Sequence, residues 1–168
     1  RRRMGEVVSN GEIVVDLFCG IGYYTLPILV KSKVKHVYSC EWNIHAINSL
    51  KFILKENKVE NKCTIYEGDN RETTGDLTNI ADRILLGLLP TAKKSYDIAL
   101  KCLKHSGGFL HLHGLAPANN HQKLVDSTTK LLESLDYDYK VKNMIINKIK
   151  SYAPHWDHLV LDIEVKKI

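Results

Sequence analysis

Three short runs carry groups whose types and spacing suit a nucleoside. The first is DLFCGIGYY, residues 16–24. Asp16, Phe18, Gly20 and Gly22 form a turn there, and its glycines let backbone approach a ligand closely. A helix starting just after it would offer free N–H groups. The second is Glu41, about twenty residues further on, where an acid ending a strand can accept both hydroxyls of a ribose. The third is GDN, residues 68–70. Asp69 can accept from an adenine amino group, and Asn70 or the local backbone can donate to a ring nitrogen. Taken one at a time, Asp16 and Asp69 could cap turns and Glu41 could be a solvated acid. Taken together at successive strand ends, they favour an adenosine site.

These groups need a scaffold that brings strand ends to one edge, and the periodicity supplies one. EIVVDLF (12–18), KHVYSCEW (35–42), CTIYEG (63–68), DRILLGLL (82–89) and GFLHLHG (108–114) read as short strands. Residues 23–31, 43–58, 92–105 and 119–135 read as helices, with Pro27 tolerable only in a first turn and Asn43 as an N-cap. Two further strands, 140–149 and 156–166, follow without a helix between them. The expected fold is α/β: a Rossmann-like, doubly wound, mostly parallel sheet with an antiparallel hairpin at its C-terminal edge.

The kind of adenosine follows from what is missing. A dinucleotide site would show GxGxxG, but the run Gly20-Ile21-Gly22-Tyr23-Tyr24-Thr25 has no third glycine. No GxxxxGK[ST] phosphate loop occurs. A nucleoside without phosphates, S-adenosylmethionine, suits the turn and the antiparallel edge.

Composition narrows the class further. A chain of 168 residues is the size of one domain, here residues 1–168. Its net charge of +5 and pI near 8.9 fit an anionic partner such as RNA. Cys19, Cys40, Cys63 and Cys102 are scattered, with no CxxC, which argues against a structural metal and for reduced thiols of a cytoplasmic protein. No apolar run approaches the ~18–20 residues of a membrane span. The first residue is not Met, so the sequence reads as an excised fragment.

VVDLFCGIGYYTLP, CEWNIHAINSLK, GDNR, ADRILLGLLP and KSYAPHWDHLVLDIEV appear in order along almost the whole chain. Together they resemble the tRNA wybutosine-synthesising aminocarboxypropyltransferase family, relatives of the eukaryotic and archaeal tRNA guanine-N1 methyltransferases. The resemblance implies a class I methyltransferase-like fold that binds S-adenosylmethionine. It implies transfer of the 3-amino-3-carboxypropyl group to 4-demethylwyosine in phenylalanine tRNA, with methylthioadenosine released. By motif, Glu41, Asp69 and Asn70 carry over as cofactor contacts. Arg1 falls where the family has a basic residue after an upstream Ser-containing stretch. The family's N-terminal substrate-binding region is not in this sequence, so weak tRNA binding is expected of the fragment.

The strand end Gly87-Leu88-Leu89-Pro90 separates two related reactions. A guanine-N1 methyltransferase must remove a ring proton, and those relatives carry an Asn-Leu-Pro stretch and a nearby acid at this place. Here the polar residue is absent, which favours the aminocarboxypropyl reading over the methyl one. Gly87 would leave room for a flat tricycle, and Leu88, Leu89 and Pro90 could wall it. Arg71 or Arg1 could hold the cofactor's carboxylate; Arg71 could equally be a surface charge beside a turn. A non-catalytic cofactor-binding RNA module is the remaining alternative. His111 and His113 share one face of their strand and read as core or rim histidines. APHWDH, with His155, Asp157 and His158, has no role assigned by the sequence. Tyr23 and Tyr24 could border the cofactor, stack on a base, or simply pack.

Overall fold

A computed structural model describes residues 2–168 of the chain. Arg1, one of the expected cofactor contacts, lies outside the described residues. Seven strands form one sheet in the order β3-β2-β1-β4-β5-β7-β6. They are β1 (Ile13–Asp16), β2 (His36–Glu41), β3 (Cys63–Glu67), β4 (Arg83–Leu86), β5 (Gly107–Pro117), β6 (Tyr139–Ala153) and β7 (Trp156–Lys167). The first five are parallel, and β7 pairs antiparallel with both β5 and β6. The doubly wound sheet with an antiparallel edge is therefore the observed fold. Its strand order reverses between β1 and β4, the position where open α/β sheets bind ligands.

Helices cover both faces: α1 (Arg2–Val7), α2 (Thr25–Lys31), α3 (Ile44–Glu56), α4 (Asn70–Thr73), α5 (Tyr96–Cys102) and α6 (Gln122–Ser134). Val14, Val37 and Leu85 pack with α2 and α3, while Val15, Ile84, Leu86 and Leu110 pack with α5 and α6. This is the alternation of a strand buried on both sides. Asn43 caps α3 as expected, its side chain accepting from the N–H groups of His45 and Ala46.

Three elements depart from the sequence reading. The expected strand over 82–89 stops at Leu86, because the chain leaves the sheet at Gly87. The expected helix over 92–105 is a 3₁₀ turn, Lys93–Ser95, followed by the shorter α5. α1, unforeseen in the arginine-rich start, buries Met4 against α2, and Val8 just beyond the helix joins the same cluster.

A polar network crosses the α1 side of the sheet. Arg83 is 4% exposed, and its guanidinium donates to both oxygens of Glu12, at 2.8 and 2.9 Å. It also meets His111 at 2.7 Å, and His111 meets Asp162 at 2.6 Å. Arg3 closes the row with an ion pair to Asp162. Burial pushes the Asp162 carboxyl up, but His111 and Arg3 outweigh it and hold it below the usual carboxylate range. A depressed carboxyl contributes stability above its unfolded pKa near 4 and loses it as pH falls further. The gap in Tm between the wild type and Asp162→Asn is therefore expected to be widest at pH 5–7 and to shrink below about pH 4. A gap independent of pH would remove Asp162 from this account.

Candidate cofactor-binding site

The carboxyl edge of the sheet is tied together by short backbone bonds. Leu17 donates to the carbonyl of Leu85 at 3.1 Å, and Cys19 to that of Cys40 at 3.1 Å. The glycine turn is thereby pinned over the ends of β1, β4 and β2. Gly20 has φ +55°, and a Cβ there would meet nothing within 4 Å, so its backbone is open to a ligand. Gly22 has a different reason to be glycine. Its φ is +90°, and a Cβ would lie 2.6 Å from Leu50 Cδ1 of α3. Gly22→Ala is expected to cost about 1–2 kcal/mol more than Gly20→Ala in urea unfolding, since overpacking adds to backbone strain. Equal losses would contradict this division of roles.

Glu41 stands at the centre of the edge. Its Oε2 accepts from Gly20 N–H at 2.9 Å, and its Oε1 from Trp42 and Asn43 N–H at 2.9 and 2.8 Å. One carboxylate thus joins the glycine turn to the β2–α3 turn and still lines the cleft beside them.

Asp69 caps α4, accepting from the backbone N–H of Arg71 at 2.9 Å. Its carboxylate also pairs with the Arg71 guanidinium. Those bonds hold the Asp69 carboxyl well down, at about 2. Arg71 faces the cleft, but its guanidinium is turned back onto Asp69 rather than standing free to take a ligand's carboxylate. Asn70 is buried, and its amide is engaged at both ends. Its Nδ2 donates to Leu17 carbonyl at 2.8 Å, and its Oδ1 accepts from Ser95 at 2.9 Å. Asn70 therefore fixes the floor of the cleft. Of the N–H groups that open α4, those of Arg71, Glu72 and Thr73 all donate to Asp69, which leaves the N–H of Asn70 as the backbone donor at this corner of the cleft.

Asp16 departs from the sequence reading. It is fully buried beneath the turn and does not line the cleft. Thr25 donates to its Oδ2 at 2.9 Å, while Oδ1 has no hydrogen-bond partner. Burial pushes its carboxyl up to about 6, against the Thr25 hydroxyl and the Phe18 N–H. A buried acid held at such a cost is a common signature of a functional site.

The cleft has a volume of about 500 Å³. Leu17, Phe18, Glu41, Gly68, Asp69, Asn70 and Gly87 line it, as do four groups absent from the sequence reading: Trp42, Lys93, Lys94 and Ser95. Trp42 is 76% exposed, a free aromatic face next to the ribose-suited acid. Its position directly after Glu41 was the available signal. Lys93, Lys94 and Ser95 had none, because they reach the cleft through the turn after Pro90. Of the expected apolar wall, Leu88 lines the cleft, and Leu89 and Pro90 do not. Among the described residues, no cluster of three or more His, Cys, Asp or Glu could hold a metal ion.

Residues 1–149 match the TRM5/TYW2 methyltransferase domain. The chain belongs to that family. The tRNA wybutosine-synthesizing protein 2/3/4 of Oryza sativa subsp. japonica is 41% identical over 98% of this chain, which spans only 16% of that protein. M. jannaschii TYW2, solved in complex with AdoMet, superimposes with a TM-score of 0.91 at 32% identity, over 99% of this chain and 74% of that one. P. horikoshii TYW2, solved in complex with MeSAdo, gives 0.90 at 34%, over 99% and 61%. The M. jannaschii tRNA m1G37 methyltransferase gives 0.77 at 30%, over 99% and 46%.

The sheet described above is thus the class I methyltransferase fold as the TRM5/TYW2 family carries it. Against that family background, the cleft at the switch point between β1 and β4 is the candidate cofactor site, with Gly87 at its border.

Proposed function

We propose that this chain is the S-adenosylmethionine-binding catalytic domain of a tRNA aminocarboxypropyltransferase. Its acceptor is 4-demethylwyosine in phenylalanine tRNA, and its by-product is methylthioadenosine. The domain works in the cytoplasm, a reading supported by its four free thiols.

The observation that carries this reading is the pairing of two features at one sheet edge. Glu41 and the start of α4 present the acceptors and donors that an adenosine needs. Beside them, Gly87 and Leu88 border the cleft with no acid, base or nucleophile. The likeness to TYW2 structures in complex with AdoMet and with MeSAdo supports the same choice. A by-product such as the second of these remains when the amino-acid arm leaves and the methyl stays.

S-adenosylmethionine, when bound, supplies a sulfonium with three electrophilic carbons. The chain's task is to hold it so that one of them meets the acceptor. Glu41 takes a ribose hydroxyl, Trp42 covers the purine face, and the N–H of Asn70 reads the purine edge. Asp16, negative and buried beneath the turn, gives the local field the sign that favours a cation. In the transfer, an acceptor ring atom bonds to the methionine γ-carbon and the γ-carbon–sulfur bond breaks. The electron pair stays on sulfur, and the acceptor's proton passes to water. Placement can supply several kcal/mol of such a barrier, on the order of 7–11 in the best intramolecular cases. An apolar strand end suffices for that task.

The test is a paired transfer assay with the full-length protein and tRNA bearing the tricyclic base. Carboxyl-labelled cofactor is expected to label the tRNA, with methylthioadenosine released. Label arriving only from methyl-labelled cofactor, with S-adenosylhomocysteine, would replace this reading with a guanine-N1 methyltransferase. Cofactor binding without any transfer would leave a non-catalytic RNA module.

A further inference from the structure

The hairpin of β6 and β7 rises beyond the edge where the cofactor cleft opens. Leu112 of β5 pairs with Leu86 at the end of β4, and β5 continues to Pro117, which pairs with Trp156. That extension is about 16 Å of strand at ~3.3 Å per residue. Its tip is the APHWDH run that the sequence left without a role. A register shift between Ser151 and Ala153 sets Tyr152 out of the ladder, 52% exposed. Trp156 is 45% exposed.

The tip is braced rather than loose. Asp157, buried at its root, accepts from Ser151 at 3.3 Å, pairs with Lys148 at 2.9 Å and meets His121 at 2.8 Å. These bonds tie both strands to the start of α6. They also occupy Lys148, whereas Lys150 has no acidic partner among the described residues and lies beside His158.

A row of rings leads from the tip back to the glycine turn. His158 meets His113 at 2.9 Å between ring nitrogens, with ring centroids 5.0 Å apart. His113 lies 5.5 Å from Tyr24, which lies 5.1 Å from Tyr23. Trp156 shares the strand face of His158 by the period of two. A Cβ on Gly87 would meet Tyr24 at 3.8 Å, so the row passes along the border of the cleft. Burial and the neighbouring imidazole push His113 down to about 4, so it is a neutral ring at pH 7. The buried Nδ1 of His158 has no hydrogen-bond partner, which packing alone does not explain.

We propose that Trp156, Tyr152 and Lys150 at the hairpin end and Tyr23 at the other, linked through the buried His158 and His113, seat unpaired nucleotides of the acceptor RNA loop. The proposal rests on the tRNA-modifying reading above and locates its RNA surface. Loop bases splay out and stack on aromatic faces, and a lysine without an acidic partner meets the backbone phosphate between them. Tyr24 lies against Gly87 at the border of the cleft, so a base stacked on its neighbour Tyr23 is near that border. The chain's net charge of +5 complements the ligand.

The test uses the full-length protein and a fluorescein-labelled anticodon stem-loop of phenylalanine tRNA, read by anisotropy. Affinity for S-adenosylmethionine is measured on the same preparations. Trp156→Ala is expected to weaken RNA binding about tenfold and to leave cofactor affinity unchanged. Trp156→Phe restores most of the loss. Lys150→Gln lowers the slope of log affinity against log salt by about one. Unchanged RNA affinity in both Trp156→Ala and Tyr23→Ala would overturn the proposal. So would a fall in Tm with RNA binding intact, which would mean that another segment of the protein covers the tip. A wild type that binds RNA through Trp156 yet transfers nothing would refute the proposed reaction and spare this surface.

Discussion

Glu41→Ala is expected to weaken S-adenosylmethionine binding by about 1–3 kcal/mol, the range for losing hydrogen bonds to a buried charge. The carboxylate has two tasks, and the substitution removes both. It accepts from Gly20, Trp42 and Asn43, so it holds the glycine turn against the start of α3. It also presents its remaining lone pairs to the cleft, where a ribose would place its hydroxyls. Glu41→Gln separates the two. The amide keeps one oxygen for backbone donors but turns an NH₂ toward the other set, so an intermediate loss is expected. Calorimetric titration of the cofactor into each variant measures this, and an unchanged affinity in Glu41→Ala would remove Glu41 from the site.

Glu12→Ala is expected to have the largest effect on stability, about 3–5 kcal/mol in urea unfolding, because it leaves a buried guanidinium without its charge partner. Arg83 keeps the Val7 carbonyl, at 3.2 Å, His111 and the Phe109 ring, 4.6 Å from its Cζ. None of these carries a negative charge, so the ion cannot be neutralised locally. The double variant Glu12→Ala/Arg83→Met should recover most of the loss, since an apolar side chain of similar length fills the site without a charge. A double variant as unstable as the single one would show that packing around Glu12, not the unpaired ion, sets the loss.

The centre of the sheet was legible in the sequence because β1 and β4 are buried on both faces and bounded by turn residues. Periodicity reports burial, and the outer strands β3 and β6, which are largely exposed, were read from their β-branched residues and their place in the alternation. The ends of elements were less legible. Nothing local distinguishes Gly87-Leu88-Leu89 from a strand; the ladder to β5 ends at the Leu86–Leu112 pair, and the chain turns from there toward Lys93–Ser95. The site divided along the same line. Glu41 ends β2 and Asp69 follows β3 as the cap of α4, so the alternation of elements placed both at the one edge where the cleft lies. Asn70 and Asp16 were read as ligand contacts, but their partners are Leu17, Ser95 and Thr25, distant in sequence and set by packing. Trp42 had only its place after Glu41 as a signal and the braced hairpin tip had none, because exposure and orientation are not written in residue type.

The central claim is that the chain selects the transferred group by holding the cofactor's arm, with no catalytic side chain at the end of β4. A crystal structure of this chain with S-adenosylmethionine tests it most directly. The claim predicts that the methionine γ-carbon faces the opening beside Gly87 and Leu88, with the methyl group turned into the cleft wall. A methyl group at that opening, with the amino-acid arm packed beneath the glycine turn, would contradict it.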